Sequence, residues 1–219
     1  MRAFAWVLAG TIIVCGSVHA QECGKATVCC EEPPPLREAG LRFAWESEPE
    51  NRPFRQGNWV SMAYGAAVLG VFADDARMYS AYGGMGYYFR SNLSFNVNLG
   101  AHYGDRNVNR DTQLDTGDFY GGSIEFLMRN HVVNYGTWSA FVDGGLGFSL
   151  LTNPVPADAT TYNYVLTAGA GITKQLDECT HFIAGIRWYH LSNGSFFNSS
   201  AKNAGYDGKM IYAGLLYSY

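Results

Sequence analysis

The sequence predicts an all-β protein: an eight-stranded antiparallel transmembrane β-barrel of the outer-membrane type. Three observations carry that expectation. The first twenty residues read as an export signal, with an N-terminal anchor helix as the alternative. From Asn58 onward its apolar residues recur with period two rather than 3.6. No later run of about 18 apolar residues exists that could cross a bilayer as a helix.

The export signal occupies residues 1–20. Arg2 supplies its positive end, Phe4 to Cys15 form an apolar run too short to span a bilayer comfortably, and Val18-His19-Ala20 offers small residues for cleavage. Residues 21–56 read as a periplasmic arm, acidic and extended, with Pro33-Pro34-Pro35 and three cysteines, Cys23, Cys29 and Cys30. Within it, Gly40 to Trp45 suits either a short strand or a short helix. Residues 57–219 form the barrel unit.

Export permits disulfides. The three arm cysteines lack the usual C-x2-C spacing of a zinc site and no histidine lies near them, so no metal is expected. The expected bridge joins Cys179, at the periplasmic end of the seventh strand, to one of Cys23, Cys29 or Cys30. A net charge of −4 with no basic patch argues against nucleic acid as a partner.

Eight strands are expected at about 58–69, 77–89, 93–104, 118–130, 137–151, 161–174, 180–192 and 208–219. In the third, Leu93, Phe95, Val97, Leu99, Ala101 and Tyr103 share one face and Ser94, Asn96, Asn98, Gly100 and His102 the other. The fifth and sixth alternate in the same way. Alternation alone allows a soluble sheet with an apolar core, as in a lipocalin-like binder, or its inverse with apolar residues toward lipid. Strand length favours the inverse, as strands longer than about ten residues cross hydrocarbon when tilted. So do the charges on the polar faces, Glu125, Arg129, Asp143 and Arg187, which can pair inside a narrow barrel. Short links near 90–92, 131–136 and 175–179 alternate with longer ones near 105–117, 152–160 and 193–207, as between periplasmic turns and external loops. The link at 70–76 is short for an external loop. Tyr120, Tyr135, Trp138, Tyr162, Tyr164 and Trp188 suit either interface girdles or ordinary exposed packing. The ending Gly214-Leu215-Leu216-Tyr217-Ser218-Tyr219 resembles the terminal strand that outer-membrane assembly machinery recognises, with Tyr219, Tyr217, Leu215, Ala213 and Ile211 toward lipid.

The seventh strand carries the candidate chemistry. Phe182, Ala184, Ile186, Trp188, His190 and Ser192 share its lipid face, so two polar side chains extend an apolar stripe. Polar groups there are costly unless they pair or act. A histidine and a serine two apart on one face suit a base and a nucleophile. Asp207, at the start of the next strand, has the same outward parity and lies at the same external end. His102 and His181 are expected to face the interior, and His131 to lie in a turn. The chain has no G-x-S-x-G elbow, P-loop or dinucleotide fingerprint.

His190-Leu191-Ser192-Asn193 followed by Asn203-Ala204-Gly205-Tyr206-Asp207 resembles the H-x-S-N and N-x-G-x-E motifs of the outer-membrane lipid A 3-O-deacylase (PagL) family. The resemblance is strongest over 180–219 and continues as strand pattern back to about 118. It implies an eight-stranded barrel and a carboxylic ester hydrolase acting on lipopolysaccharide through a Ser-His-acid triad, without cofactor. Ser192 would be the nucleophile, His190 the base and Asp207 the orienting acid. Asn193 and the Gly194 backbone would stabilise the oxyanion. Asn203 and Gly205 would shape the loop. The chain departs from the family in having Asp for Glu and in a longer Gly194–Ser200 linker. The alternative is a non-catalytic small barrel with a structural or adhesive role.

Overall fold

A computed structural model describes residues 42–43, 54–70, 77–105, 117–155, 160–194 and 205–219. A two-residue strand, β1 (Arg42–Phe43), precedes eight long ones: β2 (Trp59–Gly70), β3 (Arg77–Arg90), β4 (Leu93–Asp105), β5 (Asp118–Tyr135), β6 (Trp138–Leu151), β7 (Tyr162–Gln175), β8 (Thr180–Ser192) and β9 (Tyr206–Ser218). Each long strand pairs antiparallel with its chain neighbours, and β2 pairs with β9 to close the ring. The eight expected strands are all present, within a few residues of their expected ends apart from β5. The expected signal at 1–20 and most of the arm lie outside the described residues, as do Cys23, Cys29 and Cys30. Cys179 is buried at the turn end.

The alternation is inverted relative to a soluble protein. Leu99, Leu146, Leu150, Ile186, Ile211 and Leu215 are exposed, whereas Asn96, Asn98, Glu125, Arg129, Asp143 and Arg187 are buried. A ring of exposed leucines and isoleucines is stable against lipid, not against water. Aromatic residues border this belt. Trp59, Tyr87, Tyr135 and Trp138 are exposed near the short turns, and Tyr79, Tyr120, Tyr162 and Trp188 near the long links. Along β3, Tyr79 and Tyr87 stand about 27 Å apart at ~3.4 Å per residue. With a strand tilt of about 40°, that is ~20 Å of height, close to the ~25 Å apolar band of outer-membrane barrels.

The interior is filled by a polar network. Asp143 accepts from Arg129 (Nη2–Oδ2 3.0 Å) and from Arg187 (Nη2–Oδ2 2.7 Å, Nε–Oδ1 2.9 Å). Arg187 also donates to the Tyr64 hydroxyl at 3.3 Å and lies over the Tyr212 ring at 4.3 Å. Glu125 accepts instead from the hydroxyls of Tyr82 (2.9 Å) and Ser123 (3.2 Å). The expected interior pairing thus holds for three charges, and hydroxyls serve the fourth. As expected, His102 faces inward, bonded to Ser80 at 2.8 Å, and His181 is buried.

The expectation for His131 is corrected. It lies in β5, which continues past Asn130 through a bulge at His131/Val133 to Tyr135. Its ring is held by Tyr88 (3.0 Å), Ser139 (2.7 Å) and a stacked Phe54 ring with centroids 3.8 Å apart. Phe54, from the end of the arm, is thus drawn into the turn end of the barrel. The extra length of β5 is carried by its pairing with β6, through Val133↔Ala140, Asn134↔Ser139 and Tyr135↔Trp138. β4 begins at Leu93 opposite Asn130, so beyond that point β5 would present an unpaired edge. β1 fills part of it, pairing Arg42 with Asn134 and Phe43 with Val133.

Asp143→Ala is expected to leave two buried guanidinium groups without their shared counter-charge. A loss of about 3–5 kcal/mol in urea unfolding of the refolded barrel is predicted, against a small effect of Asp177→Ala in the β7–β8 turn.

Candidate active site on the outer face

β8 ends and β9 begins at the long-link end of the barrel, and their register places the candidate residues. His190 is directly opposite Asp207. Directly opposed side chains on one face of an antiparallel pair lie within contact reach, and His190 Nδ1 is 3.0 Å from Asp207 Oδ1. The two side chains retain 26% and 32% of their exposure. With Nδ1 facing a carboxylate, the neutral imidazole carries its proton on Nδ1 and leaves Nε2 with a free lone pair. That is the tautomer a general base requires.

Ser192 lies two residues beyond His190 with the same outward parity, half-buried and opposite Tyr164 of β7. Among the described residues its hydroxyl makes no hydrogen bond to His190 or to any other group. The pair is therefore side by side but not bonded in this state.

Asn193, an expected oxyanion candidate, directly follows the last residue of β8. It is 4% exposed while Ser192 is half-exposed. What residues 193 and 194 can offer next to Ser192 is backbone N–H. Gly194 has φ 65°, a left-handed conformation that costs glycine little and turns the chain off the sheet directly after the candidate nucleophile. Asn203 lies outside the described residues.

Gly205 does more than shape a loop. A Cβ added there would stand 2.8 Å from His190 Cε1 and 3.5 Å from Nε2. Its φ is not among the positive ones, so what glycine supplies here is space. The start of β9 can then pass tightly along the edge of the imidazole.

Trp188 was expected only as an exposed aromatic, in an interface girdle or in ordinary packing. It also belongs to this cluster. Its indole N–H donates to Asp207 Oδ1 at 2.8 Å, and its ring stacks on His190 with centroids 5.5 Å apart and 27° between planes. The sequence held a signal for it: Trp188 has the parity of His190 and precedes it by two, which makes it a same-face neighbour of His190 and a diagonal neighbour of Asp207. Among the described residues no group of three or more His, Cys, Asp or Glu is arranged to hold a metal.

Solved structures of the same architecture place the chain in its setting. It is similar to the outer membrane protein OprG from Pseudomonas aeruginosa (TM-score 0.53, 10% identity, covering 75% of this chain and 97% of that one). It is similar to Neisserial surface protein A to the same degree (TM-score 0.53, 15% identity, 75% and 98% covered). The chain is an outer-membrane β-barrel protein. The outer membrane enzyme PagL is also among the similar structures, at TM-score 0.49 and 14% identity over 71% of this chain and 97% of that one. At these identities the shared property is the fold. No protein-family model matches the sequence, and no curated protein matches it.

Gly205→Ala is expected to displace the His190 ring by a few tenths of an ångström while the barrel still folds. Imidazole ¹⁵N and ¹³C shifts of His190 in micelles should move, with those of His102 unchanged. Unchanged His190 shifts would contradict the close approach.

Proposed function

We propose that this barrel is a lipid A acyl-ester hydrolase of the 3-O-deacylase type, acting on lipopolysaccharide in the outer leaflet. The observation that carries the reading is the hydrogen-bonded His190–Asp207 pair on the lipid-facing surface, with Ser192 beside it on the same face. The agreement of these residues with the H-x-S-N and N-x-G-x-E motifs of the PagL family supports it. So does Lys209, an exposed residue directly opposite Trp188 that has no ion-pair partner among the described residues. A cation at the upper edge of a lipid belt suits a phosphorylated amphiphile.

The chemistry follows the residues. Ser192 Oγ attacks the acyl carbonyl while its proton passes to His190 Nε2. Asp207 holds the Nδ1 proton and stabilises the imidazolium that forms. Among the described residues the hydroxyl of Ser192 gives up no hydrogen bond when it rotates toward Nε2, and a hydrogen bond absent from the free enzyme can form in the complex. Backbone N–H groups of residues 193 and 194 are the candidates to receive the oxyanion. Collapse of the tetrahedral intermediate breaks the bond to the sugar oxygen, which takes the proton from His190. Water, deprotonated by the same histidine, then cleaves the acyl-serine. The products are a 3-hydroxy fatty acid and a lipid A with one chain fewer. No metal or cofactor is needed for this sequence of steps.

The second reading, a barrel with a structural or adhesive role, is favoured by one observation: among the described residues Ser192 and His190 are not hydrogen-bonded. Mass spectrometry of lipid A from cells expressing the wild type or Ser192→Ala separates the two. The proposal expects loss of one hydroxyacyl mass with the wild type and at least about a thousandfold less product with the variant. Unmodified lipid A in both, with the wild-type barrel folded in the membrane, supports the structural role.

A further inference from the structure

We infer that Trp188 is a positioning residue for the Ser192–His190–Asp207 constellation, an inference that rests on the hydrolase reading. Asp207 has one methylene fewer than the glutamate of the motif it resembles, so its carboxylate has a shorter arm toward the imidazole. It is also about one-third exposed and stands at the edge of the loops, where water competes for its oxygens. A carboxylate in that position is held only if donors fix it.

Two donors do so, and both reach the same atom. Oδ1 accepts from His190 Nδ1 at 3.0 Å and from Trp188 Nε1 at 2.8 Å. The indole approaches diagonally, since Trp188 itself faces Lys209 in the β8–β9 register while His190 faces Asp207. One flat ring thus performs two tasks. Its N–H pins the carboxylate from below, and its face lies along the imidazole and limits the rotation of His190. The three groups constrain one another: the histidine cannot turn without leaving both the indole face and the carboxylate. A tryptophan placed only as a lipid-interface anchor would direct its N–H to water or to lipid head groups. Here the N–H is directed sideways, along the protein surface, to the acid of the candidate triad.

The indole touches no substrate atom in this account. It acts through Asp207, by keeping the carboxylate at the distance from Nδ1 that maintains the base-competent tautomer. Replacing it should therefore change turnover and leave substrate affinity alone. It should also matter less when the carboxylate is longer, because Glu can reach Nδ1 without being held from the side. Trp188 is 44% exposed on the outer face, so its replacement opens no cavity in the barrel.

The test uses the full-length barrel refolded in micelles containing lipid A. Trp188→Phe keeps the flat ring and removes the N–H. Its kcat is expected to fall between about tenfold and a hundredfold with KM unchanged, and Asp207→Glu in the same chain is expected to restore most of the loss. An activity-independent reading accompanies it: the ¹⁵N shifts of His190 should report a lower share of the Nδ1–H tautomer in Trp188→Phe than in the wild type. An active Trp188→Phe with wild-type kcat, or a His190 tautomer that does not change, overturns the inference while leaving the hydrolase reading in place. A wild type without hydrolase activity overturns the hydrolase reading, and the tautomer comparison still decides whether Trp188 positions the pair.

Discussion

In hydrocarbon an unpaired strand edge has no water to satisfy it, and each open N–H or C=O costs several kcal/mol or so. Closure of β2 on β9 is therefore the interaction on which the rest of the molecule depends. Eleven directly paired positions, Val60↔Ser218 through Gly70↔Gly208, fix that seam. Because the seam fixes where β9 lies, it also fixes where Asp207 stands relative to β8. A register slip of one residue would turn Asp207 into the interior and leave His190 facing a different side chain.

Closing only eight strands leaves a narrow lumen, and the side chains that fill it must be satisfied there. Asp143 does most of this by accepting from both Arg129 and Arg187. The arginine on β8 matters to the outer face as well. Arg187 is anchored inside, between Ile186 and Trp188 on the outside, so the end of β8 is held from within while its outward side chains meet lipid. The rigid wall behind them is what allows three outward residues on two strands to keep a fixed geometry.

Much of this was legible from alternation. Period-two pattern located eight strands and assigned the outward parity of His190, Ser192 and Asp207, because a strand has only two faces and the pattern states which is apolar. The length of β5 was not legible. His131-Val132-Val133-Asn134 reads as a link, whereas the strand continues across a bulge in register with β6 to Tyr135, its other edge covered in part by β1. Nor was the burial of Asn193, since placement beyond a strand end depends on the turn that follows, here a left-handed Gly194. Trp188 was seen as an exposed aromatic, and its bond to Asp207 depends on a side-chain rotamer that spacing does not encode. Gly205 was expected to shape the loop, and the space it leaves beside the imidazole was not legible.

The central claim is that a serine on the lipid-facing surface is activated by a histidine held by an acid. A lipophilic fluorophosphonate tests this without assuming which ester is cleaved, because it forms a bond only with an activated hydroxyl. Peptide mass mapping of the treated barrel in outer-membrane vesicles should find one adduct, on Ser192, and none after His190→Asn. A folded wild-type barrel that takes up no reagent at Ser192, or takes it up equally without His190, would contradict the account.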